Sequence, residues 1–131
     1  MNKLRSIWII VLCAIHFVSW GQGIAFRENN LNAALEQAKS ENKLVFVDFM
    51  ADWCEPCKRL SREVFAVPEI ADYFNMRFVC VRVDVDKEQG LTQQYRIQAL
   101  PTLVFLDARG KNRNGWSGVW VPCISCSGRK F

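Results

Sequence analysis

The chain has 131 residues, 50% hydrophobic and 23% charged, with 17 basic and 13 acidic residues for a formal net charge of +4. That mix suits a single globular domain and excludes a disordered or fibrous chain. The charge is small and scattered, without the Lys/Arg tracts that indicate nucleic acid, and its 6 unevenly placed cysteines exclude a disulfide-stapled miniprotein.

Lys3 and Arg5 make a positive start, and Ile7 to Val18 is an apolar run broken only by His16. Ser19 and Gly21 are the small residues of a processing site, so residues 1–21 read as an export signal cleaved before Gln22. An uncleaved anchor or a buried helix are the competing readings, but the run is short of the roughly 20 apolar residues that span a bilayer. No stable membrane insertion is therefore expected after cleavage. Cys13 would leave with the signal, and the bulky Leu12 before it argues against a lipid-attachment site. Loss of Lys3 and Arg5 leaves 15 basic against 13 acidic residues, a net charge of +2, so charge singles out no partner. An exported chain lies in the periplasm or outside the cell, where oxidising conditions make disulfide chemistry useful.

Residues 22–110 read as one domain. Leu31, Ala34, Leu35 and Ala38 fall at helical spacing with Glu36, Lys39 and Glu41 on the other face, which predicts a helix ending near Asn42. Leu44 to Phe49 is apolar apart from Asp48 and predicts a central strand buried on both faces. Cys57 to Phe65 suits a helix with Leu60, Val64 and Phe65 inward; Val67-Pro68-Glu69 breaks it and starts a short helix through Tyr73 and Phe74. Phe78 to Val83 predicts a second strand, Asp84 to Gly90 a polar loop, Leu91 to Tyr95 a short helix and Thr102 to Leu106 a third strand. Asp107 to Gly110 is a turn. Strands alternating with helices predict an α/β fold, a mixed β-sheet flanked by helices.

The stretch Trp53-Cys54-Glu55-Pro56-Cys57-Lys58 lies where the first strand gives way to a helix. A helix N-terminus has unpaired N–H groups and a partial positive charge, which stabilise a thiolate. Pro56 suits the first helical turn, where a missing N–H costs nothing. Cys57 is one turn from Cys54 and within reach of it, so the pair can cycle between dithiol and disulfide: Cys54 attacks a substrate disulfide and Cys57 resolves the mixed disulfide. Two other readings stand beside this one. Cys54 and Cys57 could be half of a zinc site completed by Cys123 and Cys126, since the mature chain has no histidine, or they could form an inert structural disulfide. Cys80, within an apolar strand, reads as a core thiol. Asp84, Asp86 and Glu88 lack the full spacing of a calcium loop and read as a solvated turn.

Taken together, Val47-Asp48-Phe49, Trp53-Cys54-Glu55-Pro56-Cys57-Lys58 and Leu100-Pro101-Thr102 resemble a thioredoxin-fold oxidoreductase over Leu31 to Gly110, and most nearly an exported bacterial thioredoxin-like protein. The resemblance implies a thiol–disulfide oxidoreductase acting on protein thiols and disulfides. Its redox group is the Cys54–Cys57 disulfide itself, with no metal or other cofactor, and it works with an unidentified electron donor. Cys54 becomes the exposed nucleophile and Cys57 the buried resolving thiol. Asp48 becomes the buried acid that assists deprotonation of Cys57. Trp53 would shield the pair, and Leu100 with a cis Pro101 would present backbone to a bound peptide. Arg82 stands where the family often has a lysine near the acid, and Arg does not give up its proton. Glu55-Pro56 replaces the Gly-Pro of ordinary thioredoxin, and the acid should raise the Cys54 pKa somewhat. Pro56 keeps the reducing flavour. The segment from Cys57 to Pro101 is slightly longer than in thioredoxin, with the extra residues around Ala66 to Asn75.

After Gly110 the pattern fails. A strand can form around Gly115 to Val121, but Pro122, Ser125, Ser127 and Gly128 oppose the closing helix that a thioredoxin fold would have. Residues 111–131 therefore read as an atypical tail, best explained by a changed reading frame near Lys111, with a genuine second pair at Cys123 and Cys126 as the alternative. A non-enzymatic binding module and a truncated inactive copy are the competing functional readings.

Overall fold

A computed structural model describes residues 23–113. The signal expected at residues 1–21, the strand expected at 115–121 and the cysteines Cys123 and Cys126 lie outside the described residues.

Strands β1 (Arg27–Glu28), β2 (Leu44–Met50), β3 (Phe78–Asp84) and β4 (Thr102–Leu106) form one sheet in the order β1-β3-β2-β4. β2 runs parallel to β3, and β3 to β1, while β4 is antiparallel to β2. The apolar run 44–49 is thus flanked on both sides by strands, and Val45 to Phe49 are buried throughout. β1 has only two exposed residues and no pattern of its own; pairing of Arg27 and Glu28 with Val81 and Arg82 defines it.

Helix α1 (Leu31–Glu41) starts at Asn30, whose side chain accepts from the Ala33 N–H at 3.1 Å. It ends at Asn42, which adopts the left-handed conformation (φ 52°) that releases a helix. Its buried residues Leu31, Ala34 and Ala38 pack on Val45, Val47 and Phe49 of β2 with Val81, Val83, Val104 and Leu106. The opposite face is aromatic. Phe46 is buried there, with ring centroids of Phe74 at 4.8 Å, Phe105 at 5.1 Å and Phe65 at 6.0 Å. Alternation along β2 therefore sends Val45, Val47 and Phe49 to one face and Phe46 and Asp48 to the other.

The helix expected at 57–65 begins earlier and changes winding. Helix α2 spans Glu55–Leu60 and continues as a wider π-helical turn over Ser61–Phe65. Helix α3 (Pro68–Arg77) covers most of the segment around Ala66 to Asn75, and short α4 (Gln89–Gln94) precedes the loop to β4. After the turn at Asp107, the Arg113 N–H donates to the Phe105 carbonyl at 3.0 Å and Asn112 bridges to Leu106 in antiparallel sense. The chain so turns back along the edge of β4 away from β2.

Candidate active site

Cys54 and Cys57 are joined in a disulfide with their Cα atoms 5.3 Å apart. Cys54 caps α2, its Sγ accepting from the Cys57 N–H at 3.3 Å, and Pro56 falls in the first turn. Both cysteines are buried, at 4% and 2% exposure, in a cluster with Ala51 against which Met50, Val85 and Leu100 pack. In this oxidised form Cys54 is scarcely more exposed than Cys57, so the expected contrast between an exposed and a buried sulfur is small.

Trp53 is 69% exposed, so it is no core residue. Its indole N–H donates to Asp86 Oδ2 at 2.9 Å, which fixes the ring beside the pair from the loop after β3. That loop is organised by its own carboxylates: Asp84 accepts from the Asp86 N–H at 3.0 Å and pairs with Lys87 at 2.9 Å. Among the described residues no group of three or more His, Cys, Asp or Glu side chains could hold a metal ion. The Leu100–Pro101 peptide bond is cis, Pro101 is buried, and the Thr102 hydroxyl donates to the Ala99 carbonyl at 2.6 Å across this loop.

Asp48 is 1% exposed and shares its face of β2 with Phe46, the face covered by Leu60 and Phe65 of the cysteine helix and its π-helical continuation. It lies opposite Arg82 on β3, whose Nε donates to Asp48 Oδ2 at 3.3 Å. Asp48 Oδ1 has no hydrogen-bond partner among the described residues. Burial pushes the carboxyl up from 3.8 to about 6, against the opposing pull of the Arg82 charge and hydrogen bond. Arg82 also donates from Nη2 to Ser61 Oγ at 3.1 Å, a residue that the motifs did not single out. Nothing in the sequence pattern joins positions 48, 61 and 82; the signal was only the acid in an apolar strand and the basic residue in register with it.

The described surface has a concavity of about 310 Å³ where β2 and β3 begin. Phe26, Lys43, Phe78 and Cys80 are among its lining residues. The disulfide follows the other end of β2. Lys43 is paired with Glu41 at 2.7 Å, and burial pushes the Cys80 thiol up to about 12, which makes it a poor nucleophile. Redox chemistry therefore centres on the Cys54–Cys57 pair.

The profile of the family described as Thioredoxin-like matches residues 27–108. Thioredoxin H4 of Arabidopsis thaliana is 35% identical over 89 residues, which is 67% of this chain and 72% of that protein. Drosophila melanogaster Thioredoxin-T is 39% identical over 67 residues, 51% of this chain but only 41% of that longer protein. Among solved structures, a protein described as a disulphide-isomerase from Bacteroides thetaiotaomicron is 43% identical with a TM-score of 0.62, over 72% of this chain and 79% of that one. A DsbH oxidoreductase is 27% identical with a TM-score of 0.60, over 69% of each chain. The strand order, the capped cysteine pair and these matches agree: the chain belongs to the thioredoxin-like family and is a thiol–disulfide oxidoreductase carrying the Cys54–Cys57 pair.

Proposed function

We propose that this oxidoreductase is an exported reductase of protein disulfides in the cell envelope. The observation that carries the reading is the placement of Cys54 as the cap of the cysteine helix, bonded to Cys57, beside an exposed Trp53. In the reduced protein the Cys54 thiolate attacks one sulfur of a substrate disulfide, and the other substrate sulfur leaves as a thiolate and takes a proton. Cys57 gives its proton to Asp48 and attacks the Cys54 sulfur. This breaks the mixed disulfide, forms the Cys54–Cys57 bond and releases the second substrate thiol. Two electrons pass from protein to substrate, and a donor of dithiol type must return them. Trp53 and Leu100 lie next to the pair, and the backbone of Leu100 and the buried Pro101 is what a substrate peptide would meet. No cofactor beyond the disulfide is needed for this cycle.

Insulin-disulfide reduction with dithiothreitol tests the proposal: wild type accelerates it and Cys54→Ser does not. A folded wild-type protein without activity overturns it. The names of two structural relatives favour isomerisation as the second reading; reactivation of scrambled ribonuclease without net reduction would select it. Export is supported by the charged start and apolar run of residues 1–21. No described helix is long and apolar enough to cross a membrane. Expression of the full chain in a bacterium should yield periplasmic protein beginning at Gln22. The composition after Gly110 supports a changed reading frame near Lys111, and an amphipathic ending in another frame of the coding DNA would establish it.

A further inference from the structure

Arg82 connects three elements through one guanidinium. Its Nε bonds Asp48 Oδ2 on β2 at 3.3 Å and its Nη2 bonds Ser61 Oγ at 3.1 Å. Its Nη1 lies 3.9 Å from Glu28 on β1, and its guanidinium carbon 4.3 Å from the centroid of the Phe26 ring. Ser61 stands one turn beyond Cys57, and its N–H donates to the Cys57 carbonyl. It is also the first residue of the π-helical turn. A planar fork can hold a carboxylate and a hydroxyl in fixed directions at once; an ammonium on a flexible stem does so poorly.

We propose that Ser61 and Arg82 are positioning residues for disulfide exchange, tying the helix that carries Cys57 to the strand that carries Asp48. The proposal rests on the reading of Asp48 as proton acceptor for Cys57. Arg82 stays charged, so Asp48 is the member of the chain that titrates. The other groups around it are accounted for. Glu28 on β1 opposes ionisation, and the Cys80 thiol on the same side of the sheet stays neutral below about 12. On the cysteine helix and its continuation, Glu55, Lys58, Arg59, Arg62 and Glu63 are all exposed to solvent. Without the Ser61 hydroxyl, Arg82 loses its anchor on the helix and its grip on Asp48 loosens.

The test is the pH profile, between pH 5 and 9, of the resolving step alone: release of 5-thio-2-nitrobenzoate from a preformed mixed disulfide on Cys54, followed by absorbance, in which Cys54 is already bonded and adds no limb of its own. Ser61→Ala should move the acid limb up by roughly half a unit, and Arg82→Lys, which keeps charge but not the fork, by about as much. Ser61→Thr, which restores a hydroxyl, should return the wild-type limb. A wild-type limb in Ser61→Ala or in Arg82→Lys, or a Ser61→Thr profile displaced like that of Ser61→Ala, overturns the proposal. Asp48→Asn separates the two readings. If it abolishes the limb while Ser61→Ala leaves it unmoved, only the positioning role falls; if it keeps the limb, the role of Asp48 as proton acceptor falls too.

Discussion

Replacing Asp48 with Asn should stabilise the oxidised protein at alkaline pH while impairing its chemistry. The carboxyl is 1% exposed, and burial raises its pKa from 3.8 to about 6. That rise corresponds to about 3 kcal/mol at roughly 1.36 kcal/mol per pH unit. The sign follows from proton counting. Between pH 3.8 and about 6 the folded state holds a proton that the unfolded chain has released, so stability falls as pH rises through that window. Above it the full cost of the buried charge is present. Asn has the same shape and no charge, but it leaves Arg82 without a carboxylate. Arg82 keeps Ser61 and Glu28, so this offsets only part of the gain. Urea unfolding at pH 8 should show Asp48→Asn more stable by about 1–3 kcal/mol, or about 4–8 °C in Tm per kcal/mol for a domain of this size. At pH 4 the difference should nearly vanish. Equal or lower stability of the variant at pH 8, or the same gain at both pH values, would refute the reasoning.

Phe46→Ala removes the ring at the centre of the aromatic face, and about 3–5 kcal/mol should be lost in denaturant unfolding. Gly23→Ala places a Cβ 2.8 Å from the Phe65 carbonyl oxygen, where the Ile24 N–H also bonds; a loss of about 1–3 kcal/mol is expected in the same assay. Glu55→Gln removes a negative charge beside Cys54, so alkylation of Cys54 in reduced protein at pH 7 should quicken by roughly twofold, and an unchanged rate would show that the charge is screened. Cys80 should resist iodoacetamide in folded protein at pH 8 and react once the chain is unfolded in urea, because its thiol is both buried and held protonated up to about 12.

Much of this arrangement is legible in the residues. A strand as apolar as Leu44 to Phe49 has to be central, and it is, with β3 and β4 on its two sides. The strand expected at Thr102 to Leu106 is present with those bounds. The cysteine pair could be placed at a helix start because Pro56 fits only the first turn of a helix. What stayed hidden depends on distance across the fold. β1 is two polar residues, recognisable only by their partners on β3. The π-helical turn at Ser61 has no residue signature. Trp53 reaches Asp86 across 33 positions, so the partner that holds its ring was not readable from the sequence. Asp48 and Arg82 could be brought together in the sequence only through the family resemblance, and the link onward to Ser61 needed the length and direction of a side chain.

The most direct measurement is the titration of Cys54 in the reduced protein, by its rate of alkylation against pH with the modified residue assigned by mass spectrometry. A sulfur stabilised by the start of the cysteine helix should titrate clearly below the roughly 8.5 of a free cysteine, and its modification should abolish insulin reduction. A titration at the ordinary value, with activity untouched by the label, would contradict the assignment of this pair as the redox centre.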